Sequence, residues 1–435
     1  MNYIEPLPLR RVIATWWPLA ISWLLMSAEP PLLAAAVARM ANPHIHLAAY
    51  GSVAFPLIGI LQAPILTLLS LSTAMSKDWD SFVKGRKLML IMGGGLTLVY
   101  TLIAYTPLYY VIVEGIIGAP PEVVEPARLG MFFGLPWAFA VAYRRFHQGV
   151  MIRFEHSRSI TVGTILRFVA DALVLGVVFL IGTIPGTVAA TLMMVIGVTV
   201  EAIFVGLRVR PVLRQEVRHA PALAQQVRLS DMVAFFIPLA ITPLLNQLIR
   251  PIGSAALSRM PDPLITLAVW PVISSFSFLI VTPGAAYNEV VIALLDRPGS
   301  APSLRRFMWI LITAQLVVML LFAFTPLAEL WFGEVSGLSP ELTRLASSAF
   351  ILLFPSAVIS PLNSWFVGNI LHNRQSRSVT VGMAIYLIVY VTALTFGGAA
   401  LDVSGIYIAV GASMLASLMQ TAWLGVRSKR LSPAG

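Results

Sequence analysis

The chain has 435 residues, of which 58% are hydrophobic and 11% are charged, and its formal net charge is +10. A soluble domain carries roughly 25% charged residues, so a water-soluble globule is excluded. The long apolar runs also exclude a β-barrel, whose strands would give short alternating segments. We therefore predict an all-α integral protein of the cell (inner or plasma) membrane. The absence of cysteine excludes disulfides and thiolate metal sites.

Twelve apolar segments are long enough to cross a bilayer, which takes about 20 helical residues. In the first half of the chain they cover residues 12–38, 46–74, 88–113, 128–152, 160–181 and 187–207. In the second half they cover residues 231–257, 264–292, 307–331, 343–371, 379–397 and 405–425. Each half therefore contributes six predicted spans.

Lysine and arginine are unevenly distributed among the loops between these spans. Of the 29 basic residues, 21 fall at the chain ends or in every second loop, four in the alternate loops and four within spans. Cytoplasmic loops of membrane proteins are enriched in lysine and arginine. The pattern predicts that both termini are cytoplasmic, and it accounts for the positive charge without a nucleic-acid partner.

Two heptapeptides separated by half the chain length indicate an internal repeat. Residues 157–163 read SRSITVG, and residues 376–382 read SRSVTVG, an offset of 219. Each copy contains six spans, an even number, so both copies enter the membrane in the same orientation. The sequence therefore predicts two parallel six-helix repeats.

The offset between the two copies is 220 at the start of the chain and 219 further on. Leu47 and Ala48 match Leu267 and Ala268 at 220, whereas Pro64 matches Pro283 at 219. A length difference of one residue between the copies accounts for the change.

The repeat predicts the domain organisation. We expect a first lobe over residues 1–207, a basic linker over 208–230 and a second lobe over 231–435. The linker is interpreted as a solvated cytoplasmic connector, with binding of anionic lipid as the alternative.

Ionisable side chains within the predicted spans are the candidate functional residues, because a charge at membrane depth costs about 2.5–3.5 kcal/mol on insertion scales. Those identified are Glu29, Arg144, Arg145, His147, Arg167, Asp171 and Arg250, with Asn246 one turn before Arg250. Glu29 and Arg250 are expected to form a cross-lobe pair or to contact substrate. Arg167 and Asp171 are spaced i,i+4 and form either a structural ion pair or part of a site. The cations of the fourth span either face the interior or extend to the headgroups.

The same positions in the second copy are neutral. Arg144 corresponds to Asn363, and Arg167 and Asp171 correspond to Tyr386 and Tyr390. The two copies have therefore diverged where the charges lie.

The sequence lacks the common motifs of nucleotide-driven and hydrolytic enzymes. It contains no Walker A, HExxH or GxSxG motif, and its histidines have no metal-site spacing. We expect no cofactor, no metal and no enzymatic activity. The alternatives are an intramembrane enzyme using His147 with Glu155 or Asp171, and a non-transporting membrane scaffold.

Two stretches of the first half resemble the progressive ankylosis protein family, part of the larger MATE-like group of exporters. They are LAAYGSVAFPL at residues 47–57, and YTLIAYTPLYYVIV at residues 100–113 with PPEVVEPARLGMFFGLP after it. The resemblance implies a MATE-like bundle of two six-helix lobes and export of small polyanions such as pyrophosphate, citrate or nucleotide. The excess of arginine among the intramembrane charges agrees with this, because its planar fork binds phosphate and carboxylate.

We therefore predict a monomeric secondary transporter of small anions in the lipid bilayer, working by alternating access of two lobes. A MATE-type exporter of cationic drugs or of lipid-linked substrates is the alternative. The predicted substrate-binding residues are Arg250, Asn246, Arg144, Arg145, His147, Arg167 and Asn363, and the predicted coupling or pairing residues are Glu29 and Asp171.

The predicted topology is testable because the chain has no native thiol. In intact cells, a cysteine replacing Arg377 should resist an impermeant maleimide, whereas one replacing Arg344 should be labelled, because the two loops lie on opposite sides. Lysed cells provide the control, in which both positions should react. If only the Arg377→Cys variant is labelled in intact cells, the orientation in the membrane is the reverse of the predicted one.

Overall fold

The computed structural model of the chain describes residues 7–156, 158–221, 228–297, 299–373 and 375–431. Over these ranges the chain is helical, without a β-strand, which confirms the all-α prediction. The chain divides into two compact units. The N-unit is Met40–Ala255, and the C-unit is Met1–Arg39 together with Ala256–Gly435.

The α-helices are, in chain order, α1 (Leu9–Ala38), α2 (Pro43–Leu47), α3 (Phe55–Leu66), α4 (Leu68–Met75), α5 (Trp79–Tyr105), α6 (Leu108–Tyr110), α7 (Pro121–Phe133), α8 (Trp137–Arg153), α9 (Arg158–Ile181), α10 (Gly186–Val212), α11 (Leu229–Leu257), α12 (Pro263–Leu294), α13 (Ser300–Phe324), α14 (Leu327–Glu329), α15 (Pro340–Ile351), α16 (Ser356–His372), α17 (Ser376–Ala400) and α18 (Gly405–Leu431). Four π-helical segments join them in the described ranges: Ala48–Ala54, Val111–Ile117, Leu213–Val217 and Leu330–Val335. Apart from α12, which is continuous where the first half has α2 to α4, helix bounds in the second half lie close to those in the first at the offset of the sequence repeat. For example, α8 and α16 both have 17 residues and begin 219 positions apart.

Ten helices of the described residues are long and apolar enough to cross a membrane, or eleven if the bent pair α15–α16 counts as one span. The prediction of twelve is therefore not confirmed. The fourth predicted span, 128–152, consists of α7 and α8, which are separated at residues 134–136. The pair is not among these candidates, and α8 contains the polar residues Arg144, Arg145, His147 and Arg153.

Each compact unit contains the first long helix of the opposite sequence half. The helix α1 belongs to the C-unit, and α11 as far as Ala255 belongs to the N-unit. The units therefore differ from the predicted lobes, 1–207 and 231–435, by an exchange of one helix. In the C-unit the indole N–H of Trp16 donates to the Pro283 carbonyl oxygen at 2.9 Å, and Trp23 donates to Glu289 at 3.1 Å.

Local sequence signals set several helix ends. Asp78 and Ser81 form a capping box that starts α5 nine residues before the predicted third span. Thr106 and Thr325, which end α5 and α13, are extended because each precedes a proline. The predicted linker is helical at its start, since α10 and the segment after it continue to Val217. Residues 222–227 of the linker lie outside the described residues.

In the C-unit, side chains donate hydrogen bonds to backbone carbonyls just before a proline of α12. Pro283 within α12 has no N–H, and the carbonyls around it need other donors in lipid. The Gln315 amide donates to the carbonyls of Ile280 and Val281 at 3.2 Å, and the Ser360 hydroxyl donates to Val281 at 3.0 Å. The carbonyls of Ile280 and Val281 therefore have side-chain donors within the protein.

In the N-unit, α8 packs closely against α4 at Gly149. A Cβ atom at this position would lie 2.4 Å from the Leu69 carbonyl oxygen and 2.8 Å from Ser72 Cβ. Small residues allow membrane helices to approach closely, which provides much of their packing energy. Gly149 is therefore required by the α4–α8 contact.

We expect Gly149→Ala to lower the free energy of unfolding by about 1–3 kcal/mol, as overpacking does. Gly94→Ala in α5 is the matched control, because its added methyl group meets nothing within 4 Å. Thermal melts of the detergent-solubilised protein measure both. Equal melting temperatures for the two variants would contradict the proposed contact.

Candidate functional site

The N-unit buries an ion pair between α8 and α10. The Arg144 guanidinium pairs with the Glu201 carboxylate, and both side chains are at most 9% exposed. The Gln148 amide, one turn along α8, donates to the other Glu201 oxygen at 2.9 Å. Two buried charges in one hydrogen-bonded arrangement tie these helices together, and removing one partner would leave the other uncompensated.

A second pair of opposite charges lies on α9, as the i,i+4 spacing predicts. Arg167 Nε is 3.8 Å from Asp171 Oδ2, and the Asp171 side chain is 3% exposed. Gly197 of α10 faces this carboxylate so closely that a Cβ there would lie 1.9 Å from Asp171 Oδ1. A side chain at residue 197 is therefore incompatible with the observed position of Asp171.

Arg145 lies near these charges but forms no ion pair with any of the residues that the structure describes. Its guanidinium is under the electrostatic influence of Arg144, Glu201 and Arg167. It makes no hydrogen bond to another side chain in the described part of the chain, and its Nε is buried without a partner. Because Glu201 and Asp171 are engaged by the other two arginines, Arg145 is a cation whose charge the cluster does not neutralise.

The neighbouring His147 has a local role. Its Nδ1 is 2.8 Å from the Tyr143 carbonyl oxygen, and its ring packs against Tyr143 and Phe146 with centroids 4.2 and 5.3 Å away. His147 therefore packs among aromatic rings on its own helix.

Arg250 and Asn246 lie on α11, which the structure places in the N-unit rather than with the second-half helices. Both residues are exposed. The Arg250 guanidinium lies 5.1 Å from the ring centroid of Phe55, whose ring is 5.8 Å from that of Tyr50. The adjacent Gln247 donates to the Gly59 carbonyl oxygen at 3.2 Å, which fixes α11 against α3. No carboxylate pairs with Arg250 among the residues that the structure describes.

The other two predicted site residues belong to the C-unit. Glu29 is half-buried on α1, and Asn363 is half-buried on α16. Their predicted roles, including the pairing of Glu29 with Arg250, stay predictions.

Glu201 is the residue that sequence reasoning missed. It is a lone acid in a long apolar run and is 1% exposed. Its partner Arg144 is 57 residues away along the chain, so no local spacing connects them. The available signal was the cost of a carboxylate at membrane depth, which by itself requires a buried partner.

The repeat offset matches the charged cluster to a neutral set in the C-unit. Glu201 corresponds to Gln420 and Arg144 to Asn363. Tyr386 and Tyr390, which correspond to Arg167 and Asp171, stack with ring centroids 5.8 Å apart. The charges are therefore not needed to form helices with these bounds.

The remaining polar groups do not suggest a metal centre. No three His, Asp or Glu side chains gather as metal ligands would in the ranges that the structure covers. The C-unit has a cavity of about 560 Å³ between α16 and α18, lined almost entirely by apolar side chains, with Lys429 among them. It contains none of the predicted site residues.

Solved structures show that this fold is that of the MATE and MOP superfamily transporters. An inward-facing multidrug resistance MATE transporter matches with a TM-score of 0.74 at 16% identity, over 95% of this chain and 98% of that chain. The lipid II flippase MurJ, in an inward closed conformation, matches at 0.71 and 12% identity, over 94% and 87%. A MOP superfamily transporter from Pyrococcus furiosus, whose binding pocket of reverse polarity suggests a different function, matches at 0.67 and 15% identity, over 97% and 96%. Neither a protein-family model nor a curated protein matches this sequence.

We expect Glu201→Gln to destabilise the protein by about 3–5 kcal/mol, because it leaves Arg144 buried beside a neutral amide. The double variant Arg144→Asn/Glu201→Gln carries the residues of the second copy and should recover most of the loss. Thermal unfolding in detergent measures both effects. A double variant no more stable than Glu201→Gln would show that the ion pair is not the source of the loss.

Proposed function

We propose that the chain is a secondary active transporter that exports small polyanions by alternating access, with no enzymatic step. Pyrophosphate, citrate and nucleotide-like molecules are the substrate class. In this proposal the two halves are parallel six-helix repeats, the protein is a monomer of the cell membrane, and both termini are cytoplasmic.

Twelve spans are part of the proposal. The bent pair α15–α16 has the length and composition of one span, with an angle of 51°. The pair α7–α8 begins 219 residues earlier and has nearly the same bounds. It differs in its charges, which a protein interior or a wet cavity accommodates. We infer that α7–α8 crosses the membrane as α15–α16 does.

The observation that carries the anion assignment is the set of intramembrane arginines without carboxylate partners. Arg144 and Arg167 have acidic partners in the N-unit, whereas no ion pair joins Arg145 or Arg250 to an acid of the described residues. Unneutralised guanidinium groups in membrane helices are costly unless a ligand or water compensates them. Phosphate and carboxylate groups fit them, because they accept two parallel hydrogen bonds from one guanidinium.

Two further findings support this substrate class. The reverse polarity of the binding pocket in the Pyrococcus furiosus transporter indicates that pocket polarity differs among proteins of this fold. The resemblance of residues 47–57 and 100–113 to the progressive ankylosis protein family points to small polyanions.

Export of cationic drugs is the alternative suggested by the multidrug resistance neighbour. An exporter of lipid-linked substrates is suggested by the lipid II flippase. A cationic drug would meet net repulsion from the arginines of the N-unit, so we place it second.

Anion transport is tested in proteoliposomes loaded with labelled pyrophosphate or citrate. We expect Arg250→Ala and Arg145→Ala each to lower the rate at least tenfold, because each removes a cation with no neutralising acid. Arg344→Ala on the exposed face of α15 removes the same charge outside the site and should transport normally. Wild-type rates for both site variants would end the assignment of these residues. Transport of cationic dyes without anion transport would favour the alternative.

A further inference from the structure

The one-residue length difference between the two copies has a structural counterpart. The first copy has one more residue than the second between Ala48 and Pro64, matched by Ala268 and Pro283. The interval contains the π segment Ala48–Ala54, whereas α12 continues as an α-helix through the matching residues. A π turn holds one residue more than an α turn, so it accommodates one inserted residue without breaking the helix.

The π segment Ala48–Ala54 has no π-helical counterpart at the matching residues of α12, unlike two other π segments of the chain. The segments Val111–Ile117 and Leu330–Val335 occur at matching places in both copies. They are therefore features of the repeated fold. Ala48–Ala54 is found in the first copy, where the sequence is longer by one residue, and it needs a different explanation.

Two aromatic rings lie side by side at this π segment, and one of them contacts Arg250 of α11. Tyr50 lies within the π segment and donates to Met194 Sδ, while Phe55 follows the segment directly. The Arg250 guanidinium lies over the Phe55 ring. The second copy has no such arrangement in its sequence, because Phe55 corresponds to Ser274 or Ser275 and Arg250 corresponds to Pro30.

The contact has a specific consequence for Arg250. An aromatic ring attracts the flat face of a guanidinium, which leaves the N–H groups along its edge unused. Those N–H groups are what a phosphate or carboxylate binds. Contact with Phe55 also restricts a long, flexible side chain before a ligand arrives, which lowers the entropy cost of binding.

We propose that the residue inserted in Ala48–Ala54 builds an anion site, by placing Phe55 and Tyr50 so that they orient Arg250 toward a phosphate or carboxylate ligand. Phe55 and Tyr50 are positioning residues, and Arg250 is the ligand-binding group. This inference rests on the proposed function, since it assigns the anion to one arginine and explains how that arginine is oriented.

The test removes the insertion and measures binding of pyrophosphate and citrate by thermal shift and calorimetry. Deletion of Gly51 should give the uninterrupted helix of the second copy. We expect a protein that inserts and remains monodisperse, with anion affinity reduced at least tenfold. If the deletion prevents folding, Phe55→Leu decides, because it keeps the π segment and most of the apolar volume. Loss of a cation–π contact should weaken binding about 2- to 30-fold.

Phe324→Leu is the matched control, because Phe324 is 76% exposed on α13 and should leave binding unchanged. The Arg250→Ala variant distinguishes a failure of this inference from a failure of the proposed transport function. The inference is overturned, and the transporter proposal stands, if Arg250→Ala abolishes anion binding but the Gly51 deletion binds like the wild type. Where the deletion fails to fold, Phe55→Leu takes its place in this comparison. If wild-type protein binds neither anion, both fail.

Discussion

A charged group inside a membrane must find its compensation within the protein. The N-unit meets this requirement for two of its arginines, Arg144 through a pair between helices and Arg167 through a pair within α9. Arg144 of α8 and Glu201 of α10 are both buried, and Gln148 completes the hydrogen bonding of the carboxylate. Neither charge could remain at its place without the other, so the pair determines how α8 and α10 pack. The C-unit meets the same requirement for backbone groups, where Gln315 and Ser360 supply donors to carbonyls near Pro283.

The exchange of first helices has a similar physical origin. Val12, in the first turn of α1, is buried in one core with Tyr287 and Phe307 of α12 and α13. The tryptophan hydrogen bonds of α1 to Pro283 and Glu289 add polar contacts that lipid cannot provide. Membrane helices associate through close packing and hydrogen bonds rather than hydrophobic burial. A helix therefore joins the unit whose surface complements it, whichever half of the sequence encodes it.

Sequence reasoning succeeded for most local properties and failed where a property depends on distant partners. Apolar run length predicted helices such as α12 to within a few residues, and the i,i+4 spacing placed Arg167 beside Asp171. The capping box at Asp78 is also local, but the basic residues after it suggested a loop, so the predicted start of α5 was wrong. The role of Glu201 depends on a residue 57 positions away, and the exchange of α1 depends on surfaces formed by the other half. Neither the pairing of Arg144 with Glu201 nor the place of α1 in the C-unit can be predicted from a single sequence.

The difference between the two sequence copies indicates which charges the helices do not need in order to form. Helices with matching bounds form in the C-unit with Asn363 and Gln420 where the N-unit has Arg144 and Glu201. Charges at these positions are thus dispensable for helix formation, and their presence in one copy requires another reason. Pairing accounts for Arg144 through Glu201, but it leaves the positive charge of Arg145 on the same helix without an acidic partner in the described chain. Retaining a cation that the fold does not need, at a depth where it is costly, is reasonable when a ligand of opposite charge offsets the cost during function.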